Sequence, residues 1–196
     1  MWLDTLMSIG EKILKPVIES FTDNVKQSQE IIVHRGDKIA LKASSNGRYV
    51  QANNDTSNGI IIAQGGKVDS WEIFEIVDCE NPFSYVKNIP VRYGEKIGLR
   101  ATSNTHFVGV NYGDSQHILT SCVNHVEAWE TFTLVVHPKS KAKDKQFLRY
   151  GDRIALRANG GEYVMSHKEK DGILIATAGK IDTWETFIVI NPKEPK

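Results

Sequence analysis

Gly36-Asp37-Lys38-Ile39-Ala40-Leu41-Lys42-Ala43 is the first of three copies of one stretch. The other copies are Gly94-Glu95-Lys96-Ile97-Gly98-Leu99-Arg100-Ala101 and Gly151-Asp152-Arg153-Ile154-Ala155-Leu156-Arg157-Ala158. Each copy leads to a second shared motif, found at Trp71-Glu72-Ile73-Phe74, Trp129-Glu130-Thr131-Phe132 and Trp184-Glu185-Thr186-Phe187. Self-similarity at an almost fixed period is the signature of a repeat architecture.

Each repeat is predicted to contain four strands. Ile39, Leu41 and Ala43 alternate with other residues at period two, as in a strand with one buried face. Asn46-Gly47 favours a tight hairpin, so residues 48–52 are expected to return as the second strand. A short apolar strand at 60–63 and a strand that starts at Trp71 complete the unit. The same order recurs, which places repeats one, two and three at about 31–78, 89–137 and 146–191.

The three motifs in register resemble the fascin-type β-trefoil family. Gly-x-x-Ile-x-Leu-x-Ala, then Tyr-Val or Phe-Val, then Trp-Glu-x-Phe recur across residues 31–191. The resemblance implies an all-β fold, a β-trefoil of three four-stranded repeats closed around a threefold axis. It also implies actin binding as a function to test, because fascin-type trefoils are known as actin-bundling modules. Ricin-type trefoil lectins end each unit with Gln-x-Trp, a motif that this sequence lacks.

Residues 1–28 carry a different pattern, which predicts an amphipathic α-helix ahead of the trefoil at 29–196. Pro16 predicts a kink or break within it. The residues expected to form its self-association or membrane face are Trp2, Leu3, Leu6, Met7, Ile13, Leu14, Val17 and Phe21. This face can pack on the repeats, pair with copies of itself or insert at a lipid surface. We expect a homo-oligomer, with a membrane surface as the alternative partner.

Composition excludes several classes of function. The 196 residues hold 24 basic and 24 acidic side chains, and a formal charge of zero argues against a nucleic-acid partner. Two cysteines do not make a disulfide framework. The start of the chain lacks the basic region of a secretory signal, so the expected location is cytoplasmic, or outside the cell without a cleaved signal. No catalytic, metal-ligating or phosphate-binding motif stands out, so we expect a non-enzymatic protein without metal or cofactor.

Ligand-binding candidates are the loop residues in which the three repeats differ, because rigid scaffolds usually carry their binding residues on loops. The candidates are Asn53, Asn54, Asp55, Asn111, Tyr112, Asp114, Gln116, His167 and Lys168. Asn, Asp and Gln beside an aromatic ring suit the hydroxyl groups of a sugar, although they are also ordinary turn residues. The loop of repeat two is the favoured glycan site.

The Trp-Glu-x-Phe motif is expected to serve the scaffold, because it recurs unchanged in all three repeats. One or both aromatic side chains should enter the core. The alternative role for Trp71, Trp129 and Trp184 is a stacking surface for sugar rings. Glu72, Glu130 and Glu185 should accept hydrogen bonds from backbone N–H groups of the adjoining turn.

Three functions follow from these patterns. The first is lectin-like glycan recognition by the loops, with self-association through residues 1–28 making weak sites multivalent. The second is an actin-binding or filament-forming structural protein. The third is a membrane-active, toxin-like protein that inserts its N-terminal segment.

Overall fold

A closed ring of six antiparallel strands forms the centre of the protein in the computed structural model, which describes residues 31–53, 55, 59–83, 88–140, 146–167 and 171–194. The chain divides into two compact units, and every strand belongs to the second, Val33–Lys196. The strands are β1 (Lys38–Ala43), β2 (Tyr49–Asn53), β3 (Ile60–Gly65), β4 (Phe74–Asp78), β5 (Lys96–Ala101), β6 (Phe107–Val110), β7 (Leu119–Val123), β8 (Phe132–Val136), β9 (Arg153–Ala158), β10 (Tyr163–His167), β11 (Ile173–Ala178) and β12 (Phe187–Ile190).

The ring consists of the first and last strand of each repeat. The last strand of a repeat pairs with the first strand of the next one: β4 with β5, β8 with β9, and β12 with β1. These pairings run along most of each strand, from Phe74↔Ala101 to Asp78↔Ile97 in the first case. Pairing between the two ring strands of one repeat is shorter, limited to Lys38↔Glu75 and Ile39↔Phe74 in repeat one. The ring therefore has no free edge.

Three hairpins, β2–β3, β6–β7 and β10–β11, lie beyond the carboxyl ends of β1, β5 and β9. The hairpins also contact one another through the pairs Ile60↔Thr120 and Ile62↔Ile173 and the isolated bridge Ile118↔Ile175. All twelve strands consequently belong to one sheet.

The other end of the ring is closed by the segments that precede β1, β5 and β9. Val33 N–H donates to the Leu148 carbonyl, Leu148 N–H to Val91, and Val91 N–H to Val33, at 2.8–2.9 Å. The three side chains are fully buried. This cycle joins the three repeats at one point, so each depends on both of the others.

The glycine that opens each repeat lies in the turn between this cycle and the first strand. Gly36, Gly94 and Gly151 have φ values of 83°, 85° and 89°, which side chains with a Cβ rarely adopt. Their N–H groups donate to carbonyls of β4, β8 and β12 at 2.7–2.8 Å. The motif thus begins with glycine because the chain must turn there while it stays hydrogen-bonded to the ring.

The fold-class prediction of a β-trefoil of three four-stranded repeats, preceded by an N-terminal amphipathic helix, is wrong as a description of this sheet. The repeats are not separate four-stranded units. The last strand of one repeat forms more pairs with the first strand of the next repeat than with the first strand of its own repeat. The described elements are twelve strands and one 3-10 turn, Ser70–Glu72. The predicted helix at residues 1–28 lies outside the described residues. No helix in the described part of the chain has the length and hydrophobicity needed to cross a membrane.

The strand predicted to start at Trp71 begins only at Phe74. Asp69 caps the 3-10 turn by accepting the Ser70 N–H, and Glu72 reaches back to the Asp69 N–H. These local hydrogen bonds hold the tryptophan in a turn, and the extended chain starts after it.

His137, at the end of β8, couples the stability of the ring to pH. Its burial, and then the nearby Arg153 and Lys139, lower the pKa of the imidazole below the usual 6.5. The Lys139 N–H donates to His137 Nδ1 at 3.1 Å, a bond that requires the unprotonated nitrogen.

The unfolded chain therefore binds a proton at His137 more readily than the folded chain does. We expect the free energy of unfolding to be highest above pH 6.5 and to fall as the pH drops from there toward the lowered pKa. His137→Gln should flatten this slope in denaturant unfolding measured across pH. A slope in His137→Gln equal to that of the unsubstituted protein would contradict the assignment.

Candidate functional site

A cavity of about 250 Å³ opens between the hairpin β6–β7 and the turn that precedes β8. We call it the repeat-two cavity; it is lined by Gly109, Val110, Asn111, Thr120, Cys122, Val123, Trp129 and Glu130. The side chain of Trp129 is 53% exposed, whereas Phe132, three residues later, is fully buried. The Val110 N–H donates to the Trp129 carbonyl at 3.0 Å, which holds the turn against the hairpin.

Glu130 forms one wall of the cavity and is fixed by the backbone. It is 6% exposed, and its Oε2 accepts the Glu127 N–H at 3.0 Å. Its Oε1 lies against Gly109, where an added Cβ would stand only 2.5 Å from that oxygen. Gly109 is therefore required for the close approach of the carboxylate to the hairpin.

A row of aromatic rings supports the indole of Trp129. The Tyr112 ring lies edge-on to it, with centroids 5.8 Å apart, and also contacts His117 at 4.9 Å. The Tyr112 hydroxyl accepts the Gly160 N–H at 3.0 Å, so repeat three anchors the far end of the ring. His117 Nδ1 lies 3.3 Å from the Ala176 carbonyl of the same repeat. The exposed indole consequently rests on a support held from two repeats.

The structure brings two of the predicted residues to this cavity. Asn111 lines it, and its Oδ1 accepts the Gly113 N–H at 3.1 Å. Tyr112 packs on Trp129. Asp114 instead accepts the Gln116 N–H at 2.9 Å, so this pair shapes the adjoining turn.

The other predicted residues lie in the corresponding places of repeats one and three. Asn53 Oδ1 accepts the Asp55 N–H at 3.1 Å. His167 packs on Trp184, with ring centroids 6.1 Å apart. These three residues do not join the repeat-two cavity. Asn54, Lys168 and the eight residues named for self-association or membrane contact lie outside the described residues.

The expected role of the three repeated glutamates as acceptors of backbone hydrogen bonds is confirmed in each repeat. Glu72, Glu130 and Glu185 accept the N–H of Asp69, Glu127 and Asp182 at 2.9, 3.0 and 2.8 Å. The expectation that one or both aromatic side chains of the motif enter the core is confirmed, since Phe74, Phe132 and Phe187 are fully buried, whereas Trp129 is 53% exposed.

Trp129, Thr120, Cys122 and Glu130 were not among the predicted ligand-binding residues. One signal was present in the sequence, since Gly109 occupies the position filled by Gln51 in repeat one and Met165 in repeat three. A small residue at one of three equivalent positions admits a neighbouring side chain, here that of Glu130.

Comparison with known proteins gives a likeness of fold. No protein-family model and no curated protein matches the chain. An SDF2-like protein from Arabidopsis thaliana aligns with a TM-score of 0.65 at 12% identity, covering 81% of this chain and 94% of that one. A Caenorhabditis elegans protein with unknown function gives 0.65 at 12% identity, covering 83% and 98%.

A third similar structure is the S. cerevisiae protein O-mannosyltransferase complex bound to the sugar donor. Its TM-score is 0.62 at 15% identity, covering 83% of this chain and 26% of that one. At such identities the likeness establishes the fold alone. Together with the pairing between repeats, the similarity to the SDF2-like protein replaces the predicted trefoil with a closed all-β barrel built from internal repeats.

Proposed function

We propose that this protein is a non-enzymatic carbohydrate-binding module and that the repeat-two cavity holds the sugar. The observation that carries the proposal is the half-exposed indole of Trp129 at the mouth of a cavity with polar side chains. Sugar-binding sites need an aromatic face for the C–H groups of the ring and fixed polar groups for its hydroxyls.

The polar groups around the indole suit a hydroxylated ring. The Asn111 amide and the Thr120 hydroxyl each offer a donor and an acceptor, and the Glu130 carboxylate offers acceptors. Because Glu130 is held by the Glu127 N–H, its orientation costs little entropy on binding. The cavity volume, about 250 Å³, lies just below the range of drug-sized pockets, so we assign it to a single sugar ring.

The comparisons add limited support. One similar structure is described as bound to the sugar donor, but that likeness concerns the fold, and this chain spans only 26% of that one. Self-association through residues 1–28 remains part of the proposal, since linked copies of one weak site gain avidity. A site that binds a single sugar ring needs several linked copies to bind a cell surface or a polysaccharide tightly.

A glycan array probed with the full chain tests the proposal. We expect binding to a restricted set of glycans that persists at high salt, because the proposed contacts are stacking and hydrogen bonds to a ligand without charge. Absence of binding to every glycan, combined with co-sedimentation with filamentous actin, would favour the actin-binding alternative. Dye release from liposomes without glycan binding would favour the membrane-active alternative.

A further inference from the structure

We infer that repeat one carries a second carbohydrate site in the cavity equivalent to that of repeat two. This inference rests on the proposed function, because it assigns the same ligand chemistry to a related place. The repeat-one cavity has a volume of about 340 Å³. It is lined by Gln51, Gln64, Gly65, Gly66, Lys67, Asp69, Ser70, Trp71 and Glu72.

The two cavities share their construction. Trp71 and Glu72 stand where Trp129 and Glu130 stand in repeat two, and Gln51 stands where Gly109 stands. Glu72 is 6% exposed and accepts the Asp69 N–H at 2.9 Å, as Glu130 accepts that of Glu127. An added Cβ at Gly65 would lie 2.7 Å from Glu72 Oε1. This glycine lies on the second strand of its hairpin, opposite Tyr49, whereas Gly109 lies on the first strand of the hairpin in repeat two.

Polar groups reach this cavity from both strands of the hairpin. Gln64 Nε2 donates to the Asp171 carbonyl at 2.7 Å, which leaves its amide oxygen fixed as an acceptor. Gln51 adds an amide with both donor and acceptor capacity. Lys67 and Asp69 pair at 3.2 Å, so these two charges on the rim offset each other. A neutral hexopyranose lying on Trp71 is the ligand class that this arrangement fits.

In repeat three the corresponding positions that the structure describes carry different side chains. Met165 occupies the position of Gln51 and Gly109, and its sulfur lies 3.7 Å from the Thr177 hydroxyl. His167 packs on the indole of Trp184. We therefore assign sites to repeats one and two and none to repeat three.

The tryptophans allow the sites to be tested separately. We would follow the indole N–H signals of the ¹⁵N-labelled full chain during titration with the methyl glycosides of glucose, galactose, mannose and N-acetylglucosamine. The expected result is a saturable shift of the Trp129 and Trp71 signals with at least one glycoside, and a constant Trp184 signal. Gln51→Met, which copies repeat three, should weaken binding at Trp71 by about tenfold or more and leave binding at Trp129 unchanged.

Each outcome decides a separate point. A shift at Trp129 with none at Trp71 would overturn the second site and leave the proposed function intact. A shift at Trp71 alone would support the repeat-one site and overturn the assignment of repeat two. No shift at either indole with any glycoside would overturn both. Equal shifts at all three, or a Trp71 shift that Gln51→Met leaves unchanged in a folded protein, would show non-specific contact and overturn the second site.

Discussion

Trp129→Ala is expected to lower the affinity of the repeat-two cavity for its glycan by about tenfold or more, equivalent to roughly 1.4 kcal/mol. The substitution removes the aromatic surface on which the sugar ring would stack, and the exposed indole is the largest apolar contact at the mouth. Isothermal titration calorimetry with a glycan selected on the array measures the change. The thermal midpoint should move little, because half of the side chain is already in water.

Trp184→Ala is the matched control, since it makes the same substitution in the same motif of repeat three. His167 packs on this indole, so its removal should leave glycan affinity at Trp129 unchanged. Equal loss of affinity in both variants would indicate a general effect on the scaffold. Unchanged affinity in Trp129→Ala would refute the repeat-two cavity as the sugar site.

Phe132→Ala is expected to lower the free energy of unfolding by about 3–5 kcal/mol. The Phe132 ring is fully buried and pairs in register with Ala158 of the next repeat, as Phe74 pairs with Ala101. Each phenylalanine thus fills space left by an alanine across a boundary between repeats. The free energy of unfolding of a whole domain is only about 5–15 kcal/mol. A cavity at one boundary between repeats should therefore remove a large part of the stability of the ring.

Urea or guanidinium unfolding followed by tryptophan fluorescence measures this loss. Thr133→Ala, the next residue of β8, is the control; its side chain is half-buried, and we expect a cost below about 1 kcal/mol. A loss in Phe132→Ala no larger than in the control would contradict a ring stabilised at the boundaries between repeats.

Much of the local structure could be predicted from the sequence. The alternation in Ile39, Leu41 and Ala43 marks β1, and the same pattern marks β5 and β9. The backbone-acceptor role of Glu130 was also predictable, because such a bond joins residues three apart. The start of β4 at Phe74 was missed, since the capped turn of Asp69 competes with the strand.

The pairing between strands of neighbouring repeats could not be predicted from the sequence. Nothing in the residues of β4 indicates that it pairs mainly with β5 across a linker. The sequence therefore predicted three four-stranded repeats around an axis without predicting which strands of neighbouring repeats pair. The cycle of Val33, Leu148 and Val91 likewise joins residues far apart in the chain. Such contacts depend on how all three repeats close together.

The features of the candidate site also separate into those that the sequence predicts and those that require the tertiary structure. Sequence alone determined the repeats, the strand positions and the loop of repeat two that differs from the others, because periodicity and turn chemistry act between near neighbours. Only the tertiary structure decided that Trp129 stays exposed, that Glu130 enters the space beside Gly109, and that Tyr112 is anchored by Gly160. The exposure of a side chain depends on which distant residues lie across from it, and those neighbours are set only when all three repeats close together.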